Sequence, residues 1–88
     1  MDEREKRLRA LLDQQNYPSV YLFKFIIKKD DDKMIEIKKC FDEVAEFEIH
    51  PSKNGNYISV SIKQMMLSTD DIMLRYERVG KIDHVIVL

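Results

Sequence analysis

Residues 51–62, Pro51-Ser52-Lys53-Asn54-Gly55-Asn56-Tyr57-Ile58-Ser59-Val60-Ser61-Ile62, constrain the fold more than any other stretch. Ile58, Val60 and Ile62 alternate with Tyr57, Ser59 and Ser61. A period of two puts one set on each side of a strand. A strand apolar on one side and small and polar on the other belongs in a sheet covered on one face only. Asn54-Gly55 ahead of it is a hairpin signal, since both residues tolerate the positive φ of a type I′ turn.

The rest of the chain supplies that sheet with partners. Residues 3–15 read as a helix with Leu8, Leu11 and Leu12 as a narrow apolar stripe, ended by Tyr17-Pro18. Ser19 to Lys29 reads as the first strand, with Tyr21, Phe23, Phe25 and Ile27 on one face and Val20, Leu22, Lys24, Ile26 and Lys28 on the other. Apolar residues on both faces suit a central position. The acidic connector Asp30-Asp31-Asp32 offers an N-cap to a helix running from about Asp31 to Asp42. Met34, Ile37, Phe41 and Val44 recur there at helical spacing, with Ile35 and Cys40 at the margins. Ala45 to Pro51 reads as the second strand and Asn56 to about Met65 as the third. Ser68 with Asp71 resembles a capping box opening a helix over Thr69–Val79, with Ile72, Met73, Tyr76 and Val79 as its stripe. Gly80 is placed to take a left-handed C′ conformation, and Lys81 to Leu88 closes the chain as a fourth strand.

The element order is therefore β-α-β-β-α-β after a leading helix. That order predicts an α+β, ferredoxin-like βαββαβ domain over residues 17–88, with residues 1–16 as a helical leader. Two helices cover one face of a four-stranded antiparallel sheet of order 4-1-3-2. The second and fourth strands are its edges. Eighty-eight residues leave room for one modest core and little for a deep enclosed site.

Charge narrows the function classes. The net charge is −1, with no basic footprint for nucleic acid. The lone Cys40 forms no internal disulfide, which suits a reducing, cytoplasmic setting. No long apolar run follows the charged N-terminus, so neither a secretory signal nor a membrane span is expected.

Pro51 to Ile62, with Val79-Gly80-Lys81-Ile82-Asp83, Val85 and Leu88, resembles the small bacterial YbeD-like family. Tyr17-Pro18 and Lys24 fit the family's start, and the similarity runs over nearly the whole chain from Leu8. The resemblance implies a ferredoxin-like fold similar to amino-acid-binding ACT regulatory domains. It implies no catalytic residue. Against that resemblance, the Asp30-Asp31-Asp32 connector and the charged leader look like peculiarities of this member.

Candidate sites each have a plain structural reading beside the functional one. Cys40 reads as a small packed residue rather than a nucleophile, with no histidine near it in sequence. His50 and His84 fall on opposite edge strands, roughly 14 Å apart, too far to share one ion. Asp30-Asp31-Asp32 lacks the spaced ligands and the glycine of a calcium loop. No cofactor, metal site or catalytic group is expected. An acylphosphatase needs an arginine in the loop after the first strand, and Lys28 to Lys33 has none. The same loop lacks the glycine an ACT ligand loop uses for close approach.

The candidate ligand or partner surface is the open sheet face: Lys24 on the first strand beside Tyr57, Ser59, Ser61 and Lys63 on the third. Ammonium groups next to hydroxyls can hold a carboxylate or phosphate. The plain alternatives are a solvated polar face, or a face covered by the leading helix. Three readings follow. The first is a non-enzymatic regulatory or adaptor module, working through an unknown protein partner or as a homodimer, by the open face, the His84–Leu88 edge strand and the leading helix. The second is an ACT-like sensor of a small anionic metabolite. The third is an RNA-binding module, which the composition argues against: such domains stack bases on aromatics of the two middle strands, and Tyr57 alone is placed for it.

Overall fold

The computed structural model describes residues 2–88 as α1(Glu3–Leu12), β1(Ser19–Lys28), α2(Asp31–Lys38), β2(Glu46–Pro51), β3(Tyr57–Met66), α3(Thr69–Gly80) and β4(Ile86–Val87). The architecture is α+β: three helices and one four-stranded antiparallel sheet of order β2-β3-β1-β4. Read from the β4 edge, the same neighbours run 4-1-3-2.

β1 and β3 form the spine, paired along their full length from Ser19↔Met66 to Lys28↔Tyr57. The alternation read from the sequence decides the faces. Phe23, Phe25, Ile27, Ile58, Val60 and Ile62 are buried beneath the helices, and their neighbours in sequence point to the other side. An aromatic cluster fills the centre, with the Phe23 ring 5.0 Å from Phe41 and 5.2 Å from Tyr76, both edge-on.

The helices begin where side chains satisfy their free N–H groups. The Asp30 carboxylate accepts from the amides of Asp32 and Lys33, and the Ser68 hydroxyl from that of Asp71. Asp71 does not complete a capping box on Ser68. Its shorter side chain lies nearer Leu67, whose amide is 3.4 Å away.

Several sequence expectations are corrected. α2 ends at Lys38, not Asp42; Cys40 and Phe41 still reach the core through successive four-residue turns, their amides bonded to Ile37 C=O and Lys38 C=O, but Val44 is 81% exposed. With α2 this short, Ile49 on β2 is also left exposed. The hairpin is not a two-residue type I′ turn. Gly55 alone takes positive φ, at 72°, and Asn54 does not. The loop closes instead through the Gly55 amide to Ser52 C=O and the Ser52 amide to Tyr57 C=O, with the Ser52 hydroxyl accepting from the Tyr57 amide. Gly55 therefore closes a turn at its fourth position, where glycine is favoured. Gly80 stays within α3 and takes no left-handed cap; the positive φ appears later, at His84, 61°. That loop consumes most of the expected fourth strand, and β4 pairs only Ile86 with Ile26 and Val87 with Phe25.

The leading helix does not cover the open sheet face. α1 packs against α3, on the helix side of the sheet. Leu12 is buried in the common core and Leu8 lies against it, while Leu11 is 62% exposed. The Tyr17 hydroxyl donates to Leu12 C=O and meets the Thr69 hydroxyl at 3.1 Å, tying the end of α1 to the start of α3. Arg9 and Asp70 pair on the surface above that contact, where an ion pair adds little.

Candidate functional site

Because α1 lies elsewhere, one face of the sheet is uncovered. Cross-strand partners share a face, so its layout follows from register. Lys24 stands opposite Ser61, Ile26 opposite Ser59, Leu22 opposite Lys63 and Lys28 opposite Tyr57. On the far side of β3, Glu46 faces Lys63, Glu48 faces Ser61 and His50 faces Ser59.

This arrangement divides the candidate surface. Tyr57 and Lys63 sit at opposite ends of β3, separated by roughly 20 Å at strand rise. Lys24, Ser61 and Lys63 form one neighbourhood, with Ser59 at its margin; Tyr57 belongs to another. Alternation along β2 already puts Glu46, Glu48 and His50 on one face; its register, which the sequence pattern does not give, sets these carboxylates beside the ammonium groups. A shallow hollow of about 270 Å³ is lined by Glu46, Phe47, Glu48, Ser61 and Lys63, and Lys24 is not part of it. Glu48 is engaged with His50 Nε2 at 3.0 Å. The charge at this spot is mixed, and any anion must compete with Glu46 for Lys63. Tyr57 is the sole aromatic ring on this face among the described residues, as Phe23 and Phe25 are buried under the helices.

The same face also carries exposed apolar groups. Val20 stands opposite Met65, with 61% and 53% exposed. Leu22 follows on β1, and Ile86 of β4, 54% exposed, stands opposite Ile26. The signal was present in the sequence as the apolar second face of β1. It could not be weighed until the position of α1 was known.

On the helix side, a larger cleft of about 790 Å³ opens between α1, α3 and the β4 edge. Leu8, Tyr21, Met73, Tyr76, Val87 and Leu88 line it, with Arg4, Glu5, Glu77 and Lys81 among its polar lining. The Tyr21 and Tyr76 hydroxyls meet at 2.8 Å. Burial, and then the Tyr21 hydrogen bond, hold the Tyr76 phenol well above its ordinary range. An unfolded tyrosine ionises near about pH 10, so above that the unfolded chain holds fewer protons than the folded one. Stability contributed by Tyr76 is therefore present below about pH 10 and falls as pH rises further. Tyr76→Phe should flatten the decline in urea midpoint between pH 9 and pH 11; an unchanged slope would show that Tyr76 does not carry it.

The remaining candidates take structural roles. Cys40 is buried, donates to Glu36 C=O at 3.4 Å, and burial pushes its thiol up, away from a reactive thiolate. His84 lies in the loop before β4 rather than on a strand, with His50 on the opposite edge. No group of three metal-ligating side chains occurs among the described residues. No helix among them is long and apolar enough to cross a membrane. The polar network that does form was not anticipated: Arg75 of α3, 8% exposed, donates to Cys40 C=O at 2.9 Å and lies 3.4 Å from both Asp42 and Asp71. Gln64 on β3 completes it, accepting from the Asp42 amide and donating to its carboxylate. Arg75 falls at helical spacing from Ile72 and Val79, but nothing local in sequence marks Asp42 as its partner.

Neither a curated protein nor a solved structure matches this chain. A family model does, over residues 13–88, from the end of α1 through the whole sheet and both later helices. The YbeD-like resemblance agrees with that match, and the chain belongs to DUF493, a family of proteins of unknown function.

Proposed function

We propose that this protein is a small non-enzymatic regulatory or adaptor module, built on a ferredoxin-like, ACT-like frame, that acts in the cytoplasm through protein contact. One observation carries the reading: the uncovered sheet face presents Val20, Met65 and Leu22 together at the start of β1, at 61%, 53% and 42% exposure, with Ile86, 54% exposed, beyond Lys24 on the same face. Singly scattered exposed apolar residues are ordinary; neighbouring ones such as Val20, Met65 and Leu22, grouped on an uncovered face, favour a contact surface. The lone buried cysteine supports a reducing compartment.

The test compares the intact chain with a Val20→Glu/Met65→Glu variant. Both positions are exposed and the melting temperature should hold. The wild type is expected to retain a reproducible partner in affinity purification, or to self-associate with concentration in sedimentation velocity, and the variant to lose it. A wild type that stays monomeric and retains nothing above a scrambled-bait control would remove the reading.

The Lys24–Ser61 pairing favours a second reading, a sensor of a small anionic metabolite held by Lys24, Ser59, Ser61 and Lys63. Binding to the native state must raise the unfolding midpoint. A panel of amino acids, organic acids and nucleotides that leaves the midpoint of the wild type where it leaves that of Lys24→Ala/Lys63→Ala would eliminate it.

A further inference from the structure

In an antiparallel sheet, successive residues of a strand direct their N–H and C=O groups to alternate sides. Two hydrogen bonds fix which side is which in β1. The Lys29 amide donates to Asn56 C=O on the β3 side, and Lys24 C=O accepts from the Leu88 amide on the β4 side. Odd-numbered residues of β1 therefore bond to β3, and even-numbered ones point away from it. Lys24 and Ile26 meet β4 and Leu88. Val20 and Leu22 meet no strand among the described residues, so each directs an N–H and a C=O outward along an open edge.

We infer that this edge accepts one extended segment of a partner protein, in line with β4 and antiparallel to β1, with a large apolar side chain at the residue opposite Tyr21. The inference rests on the contact-module reading and names its mode. The unpaired backbone groups specify a strand as occupant, and the segment continues the pairing that β4 already makes with β1. Register supplies the side-chain rule. The residue opposite Tyr21 shares its face and enters the cleft of about 790 Å³ beside Tyr76, Met73 and Leu8. The residue opposite Leu22 lies on the open face beside the exposed Val20 and Leu22 side chains. A second copy of this chain fits less well. Two β1 edges paired about Tyr21 would set tyrosine against tyrosine, each already bonded to its own Tyr76, and would leave both clefts unfilled.

The test pans the intact protein against a displayed library of linear random dodecapeptides. The expected winners are extended sequences with one fixed large apolar position. The synthesised winner, titrated into uniformly ¹⁵N-labelled protein, should shift the Val20 and Leu22 amides and slow their exchange with solvent, leaving Ser59 and Lys63 unchanged. Replacing the fixed apolar residue of the peptide by aspartate should abolish binding. Leu22→Pro removes the outward N–H without breaking a β1·β3 bond and should weaken binding about tenfold. If that variant does not fold, N-methylating the peptide amide that faces Leu22 C=O makes the same test with wild-type protein. Peptides that map to the open face instead, an absence of enriched sequences, or protection of Val20 and Leu22 rising with protein concentration alone would each overturn the inference. The first of these leaves the contact-module reading standing, and the Val20→Glu/Met65→Glu comparison judges that reading separately.

Discussion

Replacing Phe23 with alanine is expected to lower stability by about 3–5 kcal/mol, the range for removing a fully buried aromatic ring. Phe23 is completely buried and sits in the middle of β1, the strand that pairs on both sides. Its ring packs edge-on against Tyr21, Phe41 and Tyr76 and alongside Phe25, so β1, α3 and the segment after α2 all lose a partner together. Residues held by a sheet cannot collapse freely into the gap, which keeps the cavity term large. A domain of this size has roughly 5–15 kcal/mol in all, and about 1 kcal/mol corresponds to about 4–8 °C in melting temperature. Urea denaturation followed by circular dichroism measures it. A loss below about 1 kcal/mol would mean that the aromatic cluster is not the centre of the core. Leu22→Ala, one residue away on the open face, should cost far less, since Leu22 is already 42% exposed in the folded protein.

Arg75→Ala is expected to cost about 2–3 kcal/mol, from a different source. The guanidinium is nearly buried and holds Cys40 C=O in the turn between α2 and β2. Without it that carbonyl is left in an apolar setting with a partner lost. The pair with Asp42 contributes the smaller share, because the Asp42 side chain is 59% exposed and water takes over its solvation. A double-mutant cycle between Arg75 and Asp42 should therefore show coupling below about 1 kcal/mol. Arg75→Lys should recover less than half the loss, as a single ammonium cannot reach Cys40, Asp42 and Asp71 with one planar fork. If Arg75→Ala unfolds at the wild-type urea midpoint, the network is decorative.

These two sites differ in how far sequence announces them. Phe23 is legible: alternation assigns it to the face of Tyr21, Phe25 and Ile27, and its size puts it in the core. Arg75 is not, because its partners Cys40 and Asp42 lie more than thirty residues earlier in the chain. The candidate surface shows the same division. Lys24, Ser59, Ser61 and Lys63 do share the open face, as period two requires. That Glu46 and Glu48 stand across from Lys63 and Ser61 depends on the register of β2, set by a turn whose form the Asn54-Gly55 pair did not give.

The sequence by itself determined the order of elements, the faces of β1 and β3, and the caps at Asp30 and Ser68. All of these rest on local periodicity or on bonds within a few residues. Tertiary structure alone decided where α1 docks, how short β4 is, and hence which face and which edge remain open. An amphipathic helix with a three-leucine stripe can be buried against either layer, and the choice turns on contacts with Tyr17, Thr69 and α3 that no local pattern encodes. The two sides of the hairpin strand were visible at once in Ile58, Val60 and Ile62 alternating with Tyr57, Ser59 and Ser61. That the second side lies uncovered beside an unpaired edge at Val20 and Leu22 was a matter of packing.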